Sequence, residues 1–332
     1  MRPSSYPIDN IVEKLDVSSK SMPIVQPWHQ IGSCPEGTVP IRRIREEDIL
    51  RASSIQQFGK KNLKTVPPRS YVKGQGIHGQ EYASVYVQGE RYYGAKAMIN
   101  TWNPNVQFGE FSTSQIWLMN DDDVVNTNTI EAGWQVNPQL YGDSTTRLLT
   151  YWTSDSNKNT GCYDLLCSGF VQLDAGVAVG GRITPLSKYG NDHAQAAMTI
   201  SIWKDVRNEV WWMQYNGSNR VMGYWPSCLF STLSYNASAV EWGGEVINSK
   251  PNGLHTSTQM GSGHFSTEGF TKASFFANIK VGNNKNQLVP PNSIVKSIDS
   301  PKCYDILTDI SHDHDWGTYF FFGGPGRSPN CP

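Results

Sequence analysis

The sequence has no excess of charge of either sign and no long apolar segment. Lys and Arg number 28 and Asp and Glu 29 among 332 residues, and charged residues make up only 17% of the chain. Without a basic excess the chain offers no extended field to nucleic acid or anionic lipid. Apolar runs fall short of the roughly 18 residues of a membrane span, and the first ten residues contain no apolar signal-peptide core. We therefore expect no nucleic-acid partner and no membrane partner.

Several familiar catalytic and metal-binding motifs are also absent. The sequence contains neither H-E-x-x-H nor G-x-S-x-G, and no glycine-rich phosphate loop opens a helix. Two Cys-x-x-Cys pairs are missing as well, which argues against structural zinc. His312, Asp313 and His314 offer metal-ligating atoms, but such a polar run is more typical of a solvated turn. The sequence thus predicts no cofactor and no metal.

Six cysteines and two glycosylation sequons indicate an oxidising compartment. The cysteines are Cys34, Cys162, Cys167, Cys228, Cys303 and Cys331. Six cysteines permit 15 complete pairings, but the short loop between Cys162 and Cys167 favours a local bridge. Asn216 and Asn236 each begin an N-x-S acceptor triplet, as in secreted glycoproteins. We expect a secreted protein whose export signal belongs to a longer precursor, upstream of Met1.

Charge and aromatic content divide the chain into two segments. Residues 1–76 contain 12 Lys and Arg against 7 Asp and Glu, whereas residues 77–332 contain 16 against 22. The N-terminal segment is therefore basic and the C-terminal segment acidic. Only four of the 38 aromatic residues lie in the basic segment, which has little with which to build its own core. This basic segment is either an accident of composition or a masking segment held partly by charge.

Local patterns predict a single helix in the basic segment and strands in the acidic segment. Acidic residues 46–48 followed by a run to Lys61 predict one short helix, and the Pro67-Pro68 pair marks a linker over residues 65–78. Beyond it, Met198, Ile200 and Ile202 alternate with polar residues, and the series at 275, 277, 279 and 281 alternates with Ser274, Phe276, Asn278 and Lys280. Each series predicts a half-buried strand. Many short strands, tight turns and no long helix favour an all-β fold. We expect an antiparallel β-sandwich of two packed sheets.

Two glutamates stand inside otherwise small and apolar strands. In residues 130–136, alternation puts Ala132, Trp134 and Val136 on one face, which turns to the core, and puts polar residues on the other. Residues 240–246 follow the same parity. The residues placed on the two outer faces are Glu131, Gly133 and Gln135 in the first strand and Glu241, Gly243 and Glu245 in the second. Both strands therefore present a carboxylate beside a glycine.

The glycines at 133 and 243 need a reason, because glycine weakens the interior of a strand. One explanation is the close approach of another backbone, such as a substrate peptide laid across the sheet. A bulge or a tight bend is the other, and the sequence does not decide between them. Glu131 and Glu245 are candidates for a catalytic pair, although 114 positions separate them and a structural role remains an alternative.

A set of short motifs along most of the chain resembles the neprosin family, plant secreted glutamic peptidases related to a prolyl endopeptidase. The motifs in the acidic segment are TWNPNV at 101–106, IEAGW at 130–134, LYGD at 140–143, YWTSD at 151–155, GCY at 161–163, GYWP at 223–226, WGGE at 242–245, TQMGSG at 258–263 and GGPG at 323–326. Residues 1–5 and 33–43 resemble the family's activation peptide, and the similarity begins partway through that peptide. The resemblance thus implies a partial activation peptide and linker over residues 1–76 and a peptidase domain over 77–332.

The resemblance also implies particular residues. It places catalytic glutamates at Glu131 and Glu245 on the concave face of a β-sandwich, and it pairs Cys162 with Cys167 and Cys303 with Cys331. Cys34 and Cys228 stay unassigned, and a bridge between the basic and acidic segments is one option for them. Gly133, Gln135 and Gly243 are the candidate substrate-binding residues, with Gln135 as the candidate donor to the oxyanion.

The function expected from this pattern is acid-active hydrolysis of peptide bonds, after proline by family similarity. Two carboxyls in one cleft share a proton in mild acid, so one activates water while the other polarises the carbonyl. The basic segment is expected to act as an intramolecular inhibitor and, in acid, to be released and cut near residues 65–78. Two alternatives remain, namely a two-glutamate glycoside hydrolase and a catalytically silent carbohydrate- or cell-wall-binding module.

Overall fold

The computed structural model describes residues 1–9, 26–30, 32–61, 79–123, 125–216, 221–250, 254–313 and 316–332. We call residues 1–61 the arm and residues 79–332 the body. The linker expected at 65–78 and the boundary expected between residues 76 and 77 lie outside the described residues.

Seven strands of the body form the first antiparallel sheet. They are β1 (Gln80–Tyr92), β3 (Ser112–Asn120), β4 (Asn128–Val136), β5 (Arg147–Thr153), β6 (Cys162–Tyr163), β11 (Ala237–Ile247) and β14 (Val295–Ile298). Their order across the sheet is β14-β1-β11-β3-β4-β5-β6. The strands β11, β3 and β4 thus lie side by side in the middle of this sheet, with paired neighbours on both sides.

The second antiparallel sheet has nine strands. They are β2 (Gly94–Asn100), β7 (Val171–Gln172), β8 (Ala197–Asp205), β9 (Val210–Tyr215), β10 (Val221–Pro226), β12 (Ser274–Gly282), β13 (Leu288–Val289), β15 (Asp305–Asp313) and β16 (Gly317–Gly323). The order is β15-β16-β12-β2-β8-β9-β10-β7, and β13 pairs with β12. Sequential strands often lie in different sheets, so the chain crosses repeatedly between the two layers.

The two sheets pack face to face over one hydrophobic core. Alternate residues of strands from both sheets enter it, including Ala132, Trp134 and Val136 from β4, Met198, Ile200 and Ile202 from β8, and Trp242 and Val246 from β11. Burial of one face of each strand accounts for the period of two in the sequence. The all-β sandwich expected from the strand pattern is confirmed.

Strand β12 changes its inward face part-way along. Phe276, Ile279 and Val281 enter the shared core, whereas Phe275 packs against Phe270 and Trp316 on the other face of the sheet. The pairing register of β12 with β2 shifts between Ala277 and Lys280, and Asn278 has a φ of 50°. This irregularity adds one residue and reverses the parity. Residues 275, 277, 279 and 281 are all buried, but only 279 and 281 lie in the shared core.

The short helix expected in the arm is present, begins at the acidic residues and ends well before Lys61. It is α1 (Glu46–Leu50), and a short 3-10 turn follows at Ile55–Gln57. Ser54 caps this turn by accepting a hydrogen bond from the backbone N–H of Gln57. Side chains of this kind compete with helical hydrogen bonds, which explains why the helix does not continue to Lys61. A second short helix, α2 (Pro138–Tyr141), belongs to the body.

Two disulfides are present in the body. Cys162 is bonded to Cys167 and Cys303 to Cys331, as the family resemblance implies. Cys34 and Cys228 are both free, so the bridge considered between the two segments is not formed. Within the described residues, no helix has the length and apolar character needed to cross a membrane.

Candidate active site

The two candidate glutamates lie on the outer face of the seven-stranded sheet, two strands apart. Glu131 is on β4 and Glu245 on β11, and β3 runs between them. In the register, Glu131 pairs with Trp117 of β3 and Glu245 pairs with Thr113. The glutamates therefore lie diagonally across β3, with Gln115 midway between their rows. The sequence placed both carboxylates on the face away from the core, and the structure brings them together.

Gln115 is flanked by the two glycines that the sequence singled out. Gly243 and Gly133 are its register partners on β11 and β4. A Cβ atom on Gly133 would lie 2.0 Å from the carbonyl oxygen of Ser114 and 2.6 Å from Gln115 Cβ, and one on Gly243 would lie 2.4 Å from the carbonyl oxygen of Ala83. The backbone that approaches each glycine is thus a neighbouring strand of the same sheet. Contact of these glycines with a substrate stays a prediction.

One oxygen from each glutamate faces a common point. Gln115 Nε2 donates to Glu131 Oε2 at 2.9 Å and to Glu245 Oε2 at 3.3 Å. Both carboxylates and Gln115 are buried. Two acidic oxygens that share one amide donor form a compact site in which a third polar group can contact both acids.

The remaining oxygens of the pair are held by side chains of the same sheet. Glu245 Oε1 accepts a hydrogen bond from Gln80 Nε2 at 2.6 Å and one from the Tyr82 hydroxyl at 3.3 Å. Glu131 Oε1 accepts one from the Thr129 hydroxyl at 3.2 Å. Glu245 therefore has more donors than Glu131, and donors to a carboxylate favour its charged form.

The position between the two acids is filled by Lys61 of the arm. Its Nζ lies 2.7 Å from Glu131 Oε2 and 3.1 Å from Glu245 Oε2, and its side chain is only 3% exposed. Burial lowers the pKa of Lys61, but the charges of the two glutamates raise it more, so the net shift is upward. Lys61 is therefore a cation across the physiological pH range and neutralises one of the two carboxylates.

Glu131 has a raised pKa even with this cation beside it. Burial is the largest cause, and the negative charge of Glu245 acts in the same direction, while Lys61 lowers the value. If Lys61 were removed, burial and the charge of Glu245 would still raise the pKa of Glu131, and the cation that lowers it would be gone. An empty site would thus hold a proton between its two acids at a higher pH than the occupied site.

The arm reaches the site along the edge strand β6. The backbone N–H of Tyr163 donates to the carbonyl oxygen of Gly59 at 2.8 Å, and Lys60 Nζ donates to the carbonyl oxygen of Asn159 at 2.6 Å. The Lys61 ammonium also lies 5.0 Å from the ring centroid of Tyr151. Backbone and side-chain contacts together therefore hold residues 59–61 over the pair.

A second group of contacts lies further back along the arm. Arg51 Nε donates to the carbonyl oxygen of Gln139 at 3.0 Å, and Gln139 Nε2 donates to that of Arg51 at 3.2 Å. Asp48 accepts hydrogen bonds from Arg42 and Arg51 within the arm, and Arg42 Nη2 also donates to the carbonyl oxygen of Tyr141 at 3.1 Å, so the two arginines link α1 to α2. A cavity of about 100 Å³ remains between arm and body, lined among others by Phe58 and Phe111. The cleft in front of the glutamates is thus covered by the arm.

Gln135, the predicted oxyanion donor, does not contact either glutamate. Its Nε2 donates to the Tyr141 hydroxyl at 2.7 Å, and that hydroxyl donates to Asp164 Oδ2 at 2.6 Å. Burial raises the pKa of Asp164 to about 6, in spite of these hydrogen bonds. The amide that donates to both acids is that of Gln115. Gln135 pairs with Thr113, two residues along β3 from Gln115, and supports the cleft from there.

The predicted sites outside the cleft lie only partly within the described residues. Asn216 and Asn236 are half-buried, and Asn236 lies beside β11. The side chains of His312 and Asp313, together with His314, lie outside the described residues.

Sequence analysis missed the residues that complete the site. Lys61 is one of 12 basic residues in the first 76, and nothing marks it apart from the others. Gln115 ends a polar run that an apolar run follows in β3, and only the register shows that two glycines flank it. Tyr82 and Gln80 come from β1, two strands away from Gln115. A search for polar residues on the outward parity of every central strand would have found Gln115.

Comparison with known families is consistent with this geometry. The neprosin family model matches residues 79–325, and the model of the neprosin activation peptide matches residues 1–86. The chain belongs to the neprosin family. Membership makes it a hydrolase of the glutamic peptidase type, preceded by an activation peptide.

Three solved structures are similar to this neprosin-family chain, all at low identity. Scytalido-glutamic peptidase with a peptide-based transition-state analogue shows 10% identity over 74% of this chain and 98% of its own, with a TM-score of 0.40. SCP-B of the eqolisin family, in complex with the tripeptide Ala-Ile-His, shows 9% identity over 74% and 97%, with a TM-score of 0.37. A β-porphyranase from the human gut bacterium Bacteroides plebeius shows 10% identity over 50% and 55%, with a TM-score of 0.24.

Proposed function

We propose that the chain is the zymogen of an acid-active glutamic endopeptidase that uses Glu131 and Glu245 as its catalytic pair. The observation that carries this proposal is the single gap between Glu131 Oε2 and Glu245 Oε2, in which one polar atom contacts both oxygens. Lys61 Nζ has that position in the zymogen. A water molecule is small enough to take its place when the arm leaves, and it would then lie between a base and an acid.

The environments of the two acids suggest their roles. Glu245 accepts hydrogen bonds from the amides and hydroxyl of Gln80, Tyr82 and Gln115, whereas Glu131 accepts such bonds from Gln115 and Thr129. Glu131 has a raised pKa because it is buried and lies near the charge of Glu245. We assign Glu245 as the base and Glu131 as the acid.

In the hydrolysis that follows, the proton taken from water ends on the departing nitrogen. Glu245 takes a proton from the water, and the oxygen of that water bonds to the peptide carbonyl carbon. At the same time the protonated carboxyl of Glu131 donates a hydrogen bond to the carbonyl oxygen. Gln115 Nε2 is a second donor to that oxygen as negative charge develops there. When the carbon–nitrogen bond breaks, the proton held by Glu245 passes to the departing nitrogen.

Activity in acid follows from the shared proton. The mechanism needs one protonated and one ionised carboxyl, and the second ionisation removes the acid. Turnover should thus decline as pH rises through the pKa of Glu131, which lies above the ordinary 4.5. Cleavage after proline rests on the resemblance to the family, and Gly133, Gln135 and Gly243 are proposed to form the floor of the substrate cleft.

The arm is proposed to be the intramolecular inhibitor. Lys61 occupies the catalytic gap and residues 59–61 cover it, so no substrate carbonyl can reach the pair. Acid weakens this contact because protonation of the acids removes the charges that attract Lys61. Secretion and glycosylation at Asn216 and Asn236 complete the proposal, on the basis of the sequons and the two disulfides.

The test is mass spectrometry of a proline-containing peptide incubated with the acid-treated protein from pH 3 to pH 7. Glu131→Gln and Glu245→Gln should each lower the rate by about 10²-fold or more, because a positioned acid or base contributes 10²–10⁴-fold. Glu241→Gln is the matched control, since Glu241 lies four residues from Glu245 on the same face of β11. Full turnover in Glu131→Gln would rule out the assignment, and hydrolysis of a glucan by the same sample would favour the glycosidase alternative.

A further inference from the structure

Residues 2–9 of the arm lie on the outer face of the nine-stranded sheet, on the opposite side of the sandwich from the glutamates. They contact Trp203 and Asp205 of β8, Lys96 of β2 and Lys280 of β12. None of these contacts involves the catalytic cleft. The arm therefore has an attachment that covering the active site does not require.

The first element of this attachment is a carboxylate that binds a serine. The backbone N–H of Ser4 donates to Asp205 Oδ2 at 2.7 Å, and its hydroxyl donates to Asp205 Oδ1 at 2.6 Å. The indole N–H of Trp212 also donates to Oδ2 at 3.0 Å. Asp205 is buried, and both of its oxygens are directed at the same residue of the bound segment.

The second element recognises an aromatic side chain and the backbone around it. The ring of Tyr6 packs on that of Trp203 with 5.6 Å between centroids, and Trp203 Nε1 donates to the carbonyl oxygen of Ser5 at 3.2 Å. Next along the chain, Ile8 donates its N–H to Asn286 at 2.8 Å and accepts from that of Leu288 at 2.9 Å. This is the pairing of a short added strand, which any extended peptide can form.

The third element is a pair of lysines that binds a carboxylate. Lys96 and Lys280 are register partners on adjacent strands, and both donate to Asp9, at 2.6 Å and 2.8 Å. Lys280 is almost fully buried by the surrounding residues. Burial raises the pKa of Asp9, but the hydrogen bonds from the two lysines lower it more, so the carboxylate stays charged in mild acid. Two fixed ammonium groups side by side favour an anion between them.

We propose that this face is a second peptide-binding site, which takes an extended segment with an aromatic residue followed three positions later by Asp or Glu. Residues 4–9 fill it in the zymogen. Once the arm has left, the same site is open to a segment of that chemistry in another protein, including a substrate bound at the same time in the cleft. The side chain of Ile8 is 50% exposed, which leaves room for variation at that position between the aromatic residue and the acid.

The experiment measures binding of a fluorescent peptide, Arg-Pro-Ser-Ser-Tyr-Pro-Ile-Asp, to the full chain by anisotropy. The chain carries Glu131→Gln, so that no peptide is cut, and Tyr6→Ala with Asp9→Ala, so that its own segment is weakened. We expect the peptide to bind this vacated chain about tenfold or more tightly than a chain with the native segment, which competes intramolecularly. Lys96→Met in the vacated chain, or a peptide ending in Asn, should weaken binding about tenfold, since each removes one charge-assisted contact.

Lys285→Met is the matched control, because Lys285 is an exposed lysine in the turn before β13 and does not contact Asp9. It should leave the peptide affinity unchanged. If a vacated chain with the native circular dichroism spectrum does not bind the peptide, the proposal is overturned. The proposal is also overturned if neither Lys96→Met nor the peptide ending in Asn weakens binding. If the double variant fails to fold, Asp9→Asn alone is titrated in the same way. Hydrolysis is not measured in any of these titrations, so the result is independent of the proposed catalytic function.

Discussion

Lys61 Nζ lies 2.7 Å from Glu131 Oε2, although 70 residues separate the two in the sequence. The contact joins the activation peptide to the proposed catalytic pair through a single buried ammonium group. If the arm is the inhibitor proposed above, latency depends on electrostatics at this one point, in addition to the surface that residues 42–61 cover.

Replacement of Lys61 by methionine should loosen the arm. Breaking a buried ion pair costs about 3–5 kcal/mol, which is roughly a factor of 100 or more in the equilibrium between closed and open arm. Hydrogen exchange of residues 55–61 at pH 7 would show this as lost protection. Lys60→Met is the control, because among the described residues the Lys60 ammonium donates only to an exposed carbonyl oxygen, that of Asn159. Equal protection in the two variants would contradict the role given to Lys61.

Acid should trigger removal of the arm, and the sign follows from Glu131. Since Lys61 lowers the pKa of Glu131, the ionised carboxyl binds the arm more tightly than the protonated one. The arm therefore binds most tightly at a pH above the pKa that Glu131 has in the arm-free enzyme. Its affinity falls as the pH drops from that pKa to the lower pKa that Glu131 has in the zymogen. Mass spectrometry after incubation from pH 7 to pH 3 should find cuts between residues 61 and 79 only at the acidic end. The Glu245→Gln chain should stay intact throughout, and cutting in that variant would mean that the arm is not removed by self-cleavage.

Gln115 should affect turnover more than substrate binding. Loss of one donor to a developing oxyanion costs about 10²–10³ in kcat, so Gln115→Ala should show that fall with little change in KM. Gln135→Ala removes a hydrogen bond to Tyr141 and leaves the pair itself intact, and we expect a fall of less than about tenfold. Steady-state kinetics of the arm-free enzyme at acidic pH would separate the two, and a larger effect of Gln135 would restore the role that the sequence suggested.

Gly133→Ala should destabilise the body. The new Cβ would lie 2.0 Å from the carbonyl oxygen of Ser114, so β3 and β4 must separate locally. We expect a loss of about 3 kcal/mol, or a fall of roughly 6–12 °C in Tm. Gly190→Ala is the comparison, because nothing lies within 4 Å of its Cβ position and only its φ of +69° is unfavourable. That variant should lose about 1 kcal/mol in thermal unfolding, and an equal loss at both positions would remove the steric explanation.

The outward placement of the glutamates was predictable because β4 and β11 alternate without interruption. In β12 the irregularity at Asn278 reverses the parity, and the apolar periodicity alone does not reveal it. Proximity of Glu131 to Glu245 depends on strand order, which local patterns do not encode. The position of Lys61 depends on the path of the arm over the body. The net charge of the arm does not show which of its lysines and arginines reaches the glutamates.

The arm is bound on both sides of the sandwich, at Asp9 on one sheet and at Lys61 on the other. If the arm is the inhibitor proposed above, a cut between residues 61 and 79 does not by itself free the enzyme. The severed arm stays a two-point ligand, and while either end remains attached the other rebinds at an effective concentration set by the chain between them. Full activation then requires the severed arm to dissociate from the body. A high protein concentration favours rebinding of the arm, and dilution favours its release.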